Sequence, residues 1–404
     1  MKAGWQLRSF GDVCVKIQDG AHRSPQTQFT TNGEGRFLYI TSKNIRNNYI
    51  DLSNVSYVDK TFHDEIYPRC QPSLGDVLLT KDGANTGNVT LNTIKEPFSL
   101  LSSVCLIKTN PKILDPRFLC YYIQSPLGLE SIIGEMTGAA IKRIVLRDIK
   151  TATMPIPPLP DQHRIVGILD EAFDGIATAK ANAEKNLQNA RAFFESHVQT
   201  VFTQHVEDWV ETTIGEHIHF IDYRGKTPKK TDRGLRLITA KNVKMGYLQE
   251  TPAEFIAPGS YDAWMTRGIP RMGDVLFTTE APLANVAQLD TDEKVAFAQR
   301  IIIMQADEGK LDSTFLKYLL LSGPVQQRIR AKGTGATVQG IKASLLRLIE
   351  ISFPSQLSVQ RQIVTELDAL SAETQRLESI YQQKLAALEA LKKSLLNQAF
   401  SGQL

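Results

Sequence analysis

Between Asp222 and Lys244 eight basic residues (Arg224, Lys226, Lys229, Lys230, Arg233, Arg236, Lys241 and Lys244) meet two acids, Asp222 and Asp232. Tyr223, Gly225, Thr227 and Pro228 punctuate the run, which makes it a loop rather than the charged face of a helix. A flexible basic loop of this kind suits contacts to phosphates and to the edges of bases. A thinner version occurs earlier, around His22, Arg23, Ser24, Arg36, Lys43 and Arg46. A second arrangement fit for phosphate is a Thr-Gly-Ala turn, at 137–143 and again at 332–342. Its backbone N–H groups would cradle an anion beside Lys142, Arg143, Lys332 and Lys342. A solvated basic surface and a plain connector are the alternative readings of these two features. The formal charge is only +3, so any polyanion site must come from local clustering.

Catalytic patterns fail one by one. No G-x-x-x-x-G-K-[ST] loop is present, which excludes nucleotide hydrolysis by that route. Gly333-Thr334-Gly335 with Gly340 has the wrong spacing for a dinucleotide fingerprint and follows a helical segment where a strand is required. The seven histidines form no HExxH, and His217 and His219 share a strand face without cysteine or carboxylate company. Asp292-Glu293-Lys294 has a D-x-K shape but lacks a preceding Pro-Asp pair, so an exposed turn is expected. No catalytic and no metal-ligating residue is therefore expected. Cys14, Cys70, Cys105 and Cys120 include no CxxC pair and read as buried reduced thiols of a cytoplasmic protein. No apolar run approaches the roughly 18 residues of a membrane span, and no signal-peptide stretch follows Met1.

What positions these groups is a tandem repeat. Thr41-Ser42-Lys43-Asn44-Ile45 returns as Thr239-Ala240-Lys241-Asn242-Val243, and Gly75-Asp76-Val77-Leu78 as Gly273-Asp274-Val275-Leu276, both 198 positions on. The Thr-Gly-Ala turn recurs at 197, Gln162 and Ile165 match Gln360 and Ile363, and Leu169-Asp170 matches Leu367-Asp368. Trp5 and Gly11 match Trp209 and Gly215 at an offset of 204. Asp76 and Asp274 read as turn residues entering buried strands and are assigned no chemistry. The loops that follow diverge, Lys81 to Gly87 against Thr279 to Asn285, and Arg23, Asn85, Arg224 and Lys226 are the expected base readers. A shared scaffold with different loops is how two modules would read two different sequences.

Each copy opens with about 150 residues of short strands and turns, with helices near their end at 116–133 and 313–331. A proline cluster, Pro155 to Pro160, or Phe353-Pro354 in copy two, leads into a long stretch almost without Gly or Pro. There a heptad seam is expected: Leu367, Leu370, Thr374, Leu377, Tyr381, Lys384, Leu388, Leu391 and Leu395. Its counterpart is Leu169, Ala172, Ile176, Ala179, Ala183, Asn186, Ala190, Phe193 and His197. One seam is bulky and the other small, as two helices packed along their length require. The expected fold is mixed, α+β: two globular recognition domains, each followed by a long helix, with the helices forming an antiparallel coiled coil. Boundaries are expected at 1–153, 154–206, 207–353 and 354–404. Surface helices packed separately on each globular part are the alternative.

This layout resembles the specificity subunit of type I restriction-modification systems. The resemblance rests on the Trp-x5-Gly openings, the Lys-Asn-[Ile/Val] triplets at Lys43 and Lys241, and the Gly-Asp-Val-Leu strands. It rests most on Pro157-Pro158-Leu159-Pro160-Asp161-Gln162-His163-Arg164-Ile165, similar to the Pro-Pro-Leu-x-x-Gln-x-x-Ile that opens the family's spacer helix. Copy two departs from it but keeps Gln360 and Ile363. The resemblance implies a non-catalytic subunit in which each globular unit reads half of a bipartite duplex DNA site and the paired helices set the gap. Its implied partners are modification subunits, two of them, using S-adenosylmethionine to methylate adenine, and motor-nuclease subunits using ATP and Mg²⁺. A scaffold that bridges proteins through its coiled coil without touching DNA is the alternative; it leaves the basic loops unexplained. DNA-contacting residues expected on this reading are Arg23, Lys43, Asn85, Lys142, Arg143, Arg224, Lys226, Lys229, Lys230, Lys241, Lys332 and Lys342.

Overall fold

The computed structural model describes residues 4–133, 143–204, 208–223, 227–335 and 339–404. The chain divides into two compact units, residues 1–184 with 383–404, and residues 185–382. Each unit takes in part of both long helices, whose buried residues belong to its core.

In the first unit an antiparallel sheet runs in the order Cys14–Asp19, Val104–Thr109, Val77–Thr80, Val89–Leu91. Val77–Thr80, the Gly-Asp-Val-Leu strand, is buried at all four positions, which is why it reads as an unbroken apolar run. The helices Pro116–Gln124 and Pro126–Ile133 cover one face. They break at Ser125, whose buried hydroxyl donates to the Tyr122 carbonyl at 2.6 Å while Pro126 starts the next helix. The other face carries a smaller core over the sheet Ser56–Asp59, Arg36–Ile40, Ser99–Leu100. The opening strand Gln6–Ser9 pairs antiparallel with Thr153–Ile156, and Trp5 is buried beside it. Gly11 lets the chain pass close there, since a Cβ would sit 3.2 Å from the Lys150 carbonyl oxygen.

The second unit repeats the plan. Its sheet runs Ile218–Asp222, Ile301–Ala306, Val275–Thr278, Val286–Gln288, under the helices Ser313–Leu321 and Gly323–Ala331, which break at Ser322.

Two helices of 45 residues, Leu159–Thr203 and Leu357–Ser401, follow the two repeats. Each would extend about 67 Å at 1.5 Å per residue. In the first unit their contacts run antiparallel: Arg164 donates to the Leu404 carbonyl at 3.2 Å, and Lys180 reaches Glu389 at 3.0 Å. In the second unit Arg191 reaches Glu378 at 2.8 Å, and Val198 and Phe202 share a core with Leu367.

The buried stripe departs from the expected heptad midway. Leu169, Ile176, Ala183 and Ala190 are buried or half-buried, as are Leu367, Leu370, Leu377, Tyr381, Leu388 and Leu395. Phe193 and Leu391, expected in the seam, are instead 63% and 47% exposed. Leu187 and Leu385 are half-buried in place of Asn186 and Lys384, and Phe194 and Lys392 in place of Phe193 and Leu391. From Ile165 to Val201 the stripe takes ten steps over 36 residues, a mean of 3.6. That is the period of a straight helix, from which a strict 3.5 repeat drifts by about 20° per heptad.

Candidate nucleic-acid interface

The repeated Lys-Asn triplet is half framework. Asn44 is buried, and its Oδ1 accepts from the Thr41 N–H at 3.0 Å and the Thr41 hydroxyl at 3.2 Å. Its Nδ2 donates to the carbonyls of Asp51 and Asn54, at 3.1 and 3.2 Å. Asn242 makes the same four bonds, to Thr239 and to the carbonyls of Gln249 and Pro252. A side chain that meets its donors and acceptors with three backbone groups and one threonine hydroxyl closes a loop, and the neighbouring Lys43 and Lys241 are exposed.

Around this loop the first unit gathers segments distant in sequence. Asn85 Nδ2 donates to the Ser42 carbonyl at 3.1 Å, and the Ser42 N–H donates to Ser103 Oγ at 3.1 Å. The Lys81 N–H donates to the Ser103 carbonyl, and the Ile144 N–H to the Lys81 carbonyl, at 2.9 and 3.0 Å. The second unit joins the equivalent segments, with Thr279 N–H on the Arg300 carbonyl and Ile341 N–H on the Thr279 carbonyl, both 2.9 Å. Thus the Lys-Asn loop, the loop after the Gly-Asp-Val-Leu strand and Ile144 meet in the first unit, while the Thr137-Gly138-Ala139 turn itself lies outside the described residues. In the second, Asn285 Nδ2 binds the Val243 carbonyl at 2.9 Å and completes the set.

Beside the first unit's loops lies an ion cluster built on two buried groups, Asp19 and Lys81. Asp19 receives Arg69 at 2.7 Å, Lys81 at 3.2 Å and His22 at 2.9 Å. Burial pushes its carboxyl pKa up, but the hydrogen bonds from Arg69 and Lys81 and the charges of Lys81 and His22 outweigh burial and hold it below the ordinary 3.8. Asp82, which continues the chain, takes Arg143 at 3.1 Å.

The expected contact residues divide by what already holds them. Lys43, Lys229, Lys241 and Lys342 are exposed. Lys241 lies 4.0 Å from Glu254, which Lys230 meets at 2.5 Å. Arg23 is paired with Glu65 at 2.6 Å, Arg143 with Asp82, and Lys332 is spent on the Leu348 carbonyl at 3.0 Å. Asn85 is half-buried and its Nδ2 is bound to the loop framework. Lys142, Arg224 and Lys226 lie outside the described residues.

Sequence alone does not single out three further features. Tyr49 and Tyr247 stand 198 positions apart and are 56% and 55% exposed, each shortly after its Lys-Asn loop, Tyr49 at the start of the strand Tyr49–Ile50. The repeat spacing carries that signal. Asn88, the counterpart of Asn285 at 197, donates to the Ile45 carbonyl at 3.3 Å, so the diverging loops share one tie. Arg300 has φ of 79° and a guanidinium 2.8 Å from Glu280; Ala281 and Ala284 of the adjoining loop also have positive φ. Non-glycine residues in this region are strained and persist where surrounding structure imposes them, often at functional sites.

Behind the framework each helix is pinned in the same way. Gln162 Oε1 accepts from the Asp115 N–H at 2.8 Å and its Nε2 donates to the Ile113 and Pro157 carbonyls, both at 2.8 Å. Gln360 does the same with Asp312, Lys310 and Pro354. The repeated Leu-Asp pair is explained too: Leu169 and Leu367 are buried, while Asp170 and Asp368 accept from the hydroxyls of Tyr121 and Tyr318 at 2.6 and 2.5 Å. Among the described residues no three His, Cys, Asp or Glu side chains gather to hold a metal ion.

A duplicated module with matching frameworks and unlike loop surfaces defines a recognition protein built from two like units. Residues 2–188 and 207–389 each match the model of the Type I restriction modification DNA specificity domain, and the chain belongs to that family. It is 23% identical to the type I restriction enzyme MjaVIII specificity subunit of Methanocaldococcus jannaschii, over 99% of this chain and 93% of the relative. It is 22% identical to the EcoBI specificity subunit of Escherichia coli, over 81% of this chain and 73% of the relative. Its fold matches a chain from a structure describing complex assembly and conformational transition of the type I R-M system, with a TM-score of 0.81 at 18% identity. That match covers 100% of this chain and 99% of the other. The HsdS subunit of Thermoanaerobacter tengcongensis matches with a TM-score of 0.60 at 18% identity, covering 100% and 98%.

Proposed function

We propose that this chain is the DNA-recognition subunit of a type I restriction-modification complex, non-catalytic by itself, with residues 1–153 and 207–353 each reading one half of an asymmetric bipartite duplex site. The observation that carries this is the pair of Asn44 and Asn242 loop frameworks, identical in their bonds and different in the side chains they display. Two equal frameworks with unlike surfaces fit two unlike half-sites, and exposed Lys43, Lys229, Lys241 and Lys342 supply phosphate contacts beside them. A scaffold that only bridges proteins has no use for such a duplicated loop cluster.

In this reading the segments 154–206 and 354–404 separate the half-sites and seat the partner subunits. Those partners are two modification subunits, which bring S-adenosylmethionine, and motor-nuclease subunits, which bring ATP and Mg²⁺. The complex works in the cytoplasm. No helix among the described residues is long and apolar enough to cross a membrane. Methylome sequencing of the host with and without this gene tests the proposal. Loss of one bipartite methylated motif on deletion is expected; an unchanged methylome, together with no duplex binding by the purified chain, would contradict it.

A further inference from the structure

We propose that the two long helices carry a charge and size code that makes each repeat the required partner of the other and disfavours pairing between like helices of two chains. The ends of the helices do not discriminate. Phe202 and Phe400 stand 198 positions apart, and each enters the aromatic core of one unit: Phe400 lies 5.1 Å from Phe118, and Phe202 lies 5.3 Å from Phe315. Gln162 and Gln360 pin their helices by identical bonds. As far as these anchors go, either helix could fill either place.

The discrimination lies between the anchors. The ion pairs Lys180–Glu389 and Arg191–Glu378 use the same two repeat positions, since Lys180 corresponds to Glu378 and Arg191 to Glu389 at 198. The helix Leu159–Thr203 supplies the cation at both contacts and Leu357–Ser401 supplies the acid at both. In a like-with-like antiparallel pair of the same register, Lys180 would meet Arg191 and Glu378 would meet Glu389. Exposed pairs are individually weak, but the two pairings differ by attraction at both contacts against repulsion at both. Each cation also has an acid one turn on in its own helix, Glu184 and Glu195, which is present in either pairing.

Bulk points the same way. At four positions of the stripe Ala172, Ala179, Ala183 and Ala190 correspond to Leu370, Leu377, Tyr381 and Leu388; Ile176 against Thr374 runs the other way and Leu187 against Leu385 is even. Small against large fills the seam; two small stripes leave voids and two large ones crowd. Charge and size are independent features of the same stripe and specify the same partner, the use to which flanking charges are put in coiled coils.

The test uses the full chain. The double variant R191E/E389K puts like charges at both contacts within the chain and opposite charges across a like-with-like pairing. The fourfold variant K180E/R191E/E378K/E389K inverts both pairs and restores attraction within the chain. Mass by light scattering over a range of concentrations, with melting temperature, is read at low salt and at about 1 M salt, where the screening length falls to about 3 Å. The double variant is expected to melt about 2–4 °C below the parent or to gain a dimer at low salt that about 1 M salt removes. The fourfold variant is expected to match the parent in mass and melting. A double variant indistinguishable from the parent, or a fourfold variant as impaired as the double, would overturn the proposal.

Discussion

Removing the charge of Asp19 leaves Lys81 buried with, among the described residues, only Asp82, 3.8 Å away, to answer it; both Asp19 and Lys81 side chains are 3% exposed. Breaking a buried pair from one side is expensive, so Asp19→Asn is expected to cost about 3 kcal/mol in urea unfolding. The pH dependence has a definite sign. The folded carboxyl titrates below its ordinary 3.8, so its contribution is complete above 3.8 and is lost as pH falls through the lower folded value. Asn44→Ala and Asn242→Ala each strand backbone groups that one side chain satisfied, and each is expected to cost about 2–3 kcal/mol. Salt titration of duplex binding separates the lysines. Lys229→Ala should shallow the slope of log affinity against log salt by about 0.9, the value of one phosphate contact. Lys230→Ala should change it less, because Glu254 already holds that ammonium. Equal effects would mean that Lys230 leaves Glu254 when DNA binds. The sequence shows that Lys-Asn recurs but not that the asparagine is framework and the lysine surface. That division depends on carbonyls seven and ten residues downstream of each asparagine.

At the scale of elements, the corrected stripe makes a sharp comparison. Leu377→Asp and Leu388→Asp place a charge in the packed seam and are expected to cost about 2 kcal/mol each. Leu391→Asp and Phe193→Asp, on exposed positions, are expected to stay within about 0.5 kcal/mol of the parent in thermal or urea unfolding. If Leu391→Asp destabilises as much as Leu388→Asp, the heptad was the right period after all. Repeat spacing made the two long helices, the buried Gly-Asp-Val-Leu strands and the order of the parts legible, because these depend on local composition and period. The slip after Ala183 and Tyr381 was not legible, since a 3.5 and a 3.6 period differ by less than one residue over the first three turns. Nor was the burial of Phe400 against Phe118 and Tyr122, a contact between residues nearly 300 positions apart. The strained backbone at Arg300 has no sequence signal at all, for nothing in its side chain announces a φ of 79°.

For the whole molecule, the proposed function makes recognition modular: two frameworks of one design, each presenting its own loops, with helix length setting the gap. Base contacts reach only a few pairs from each framework, whereas the separation of two distant contacts is fixed by the rigid element between them. Deleting two heptads from both helices should therefore alter the gap, or abolish activity, without changing either half-site. The most direct test replaces residues 1–153 with the matching unit of a relative and sequences the methylome of cells carrying the chimera with the modification subunits. One half of the methylated motif should change, while the other half and the gap stay as they were. If both halves change together, the two units do not read DNA independently and the modular account is wrong.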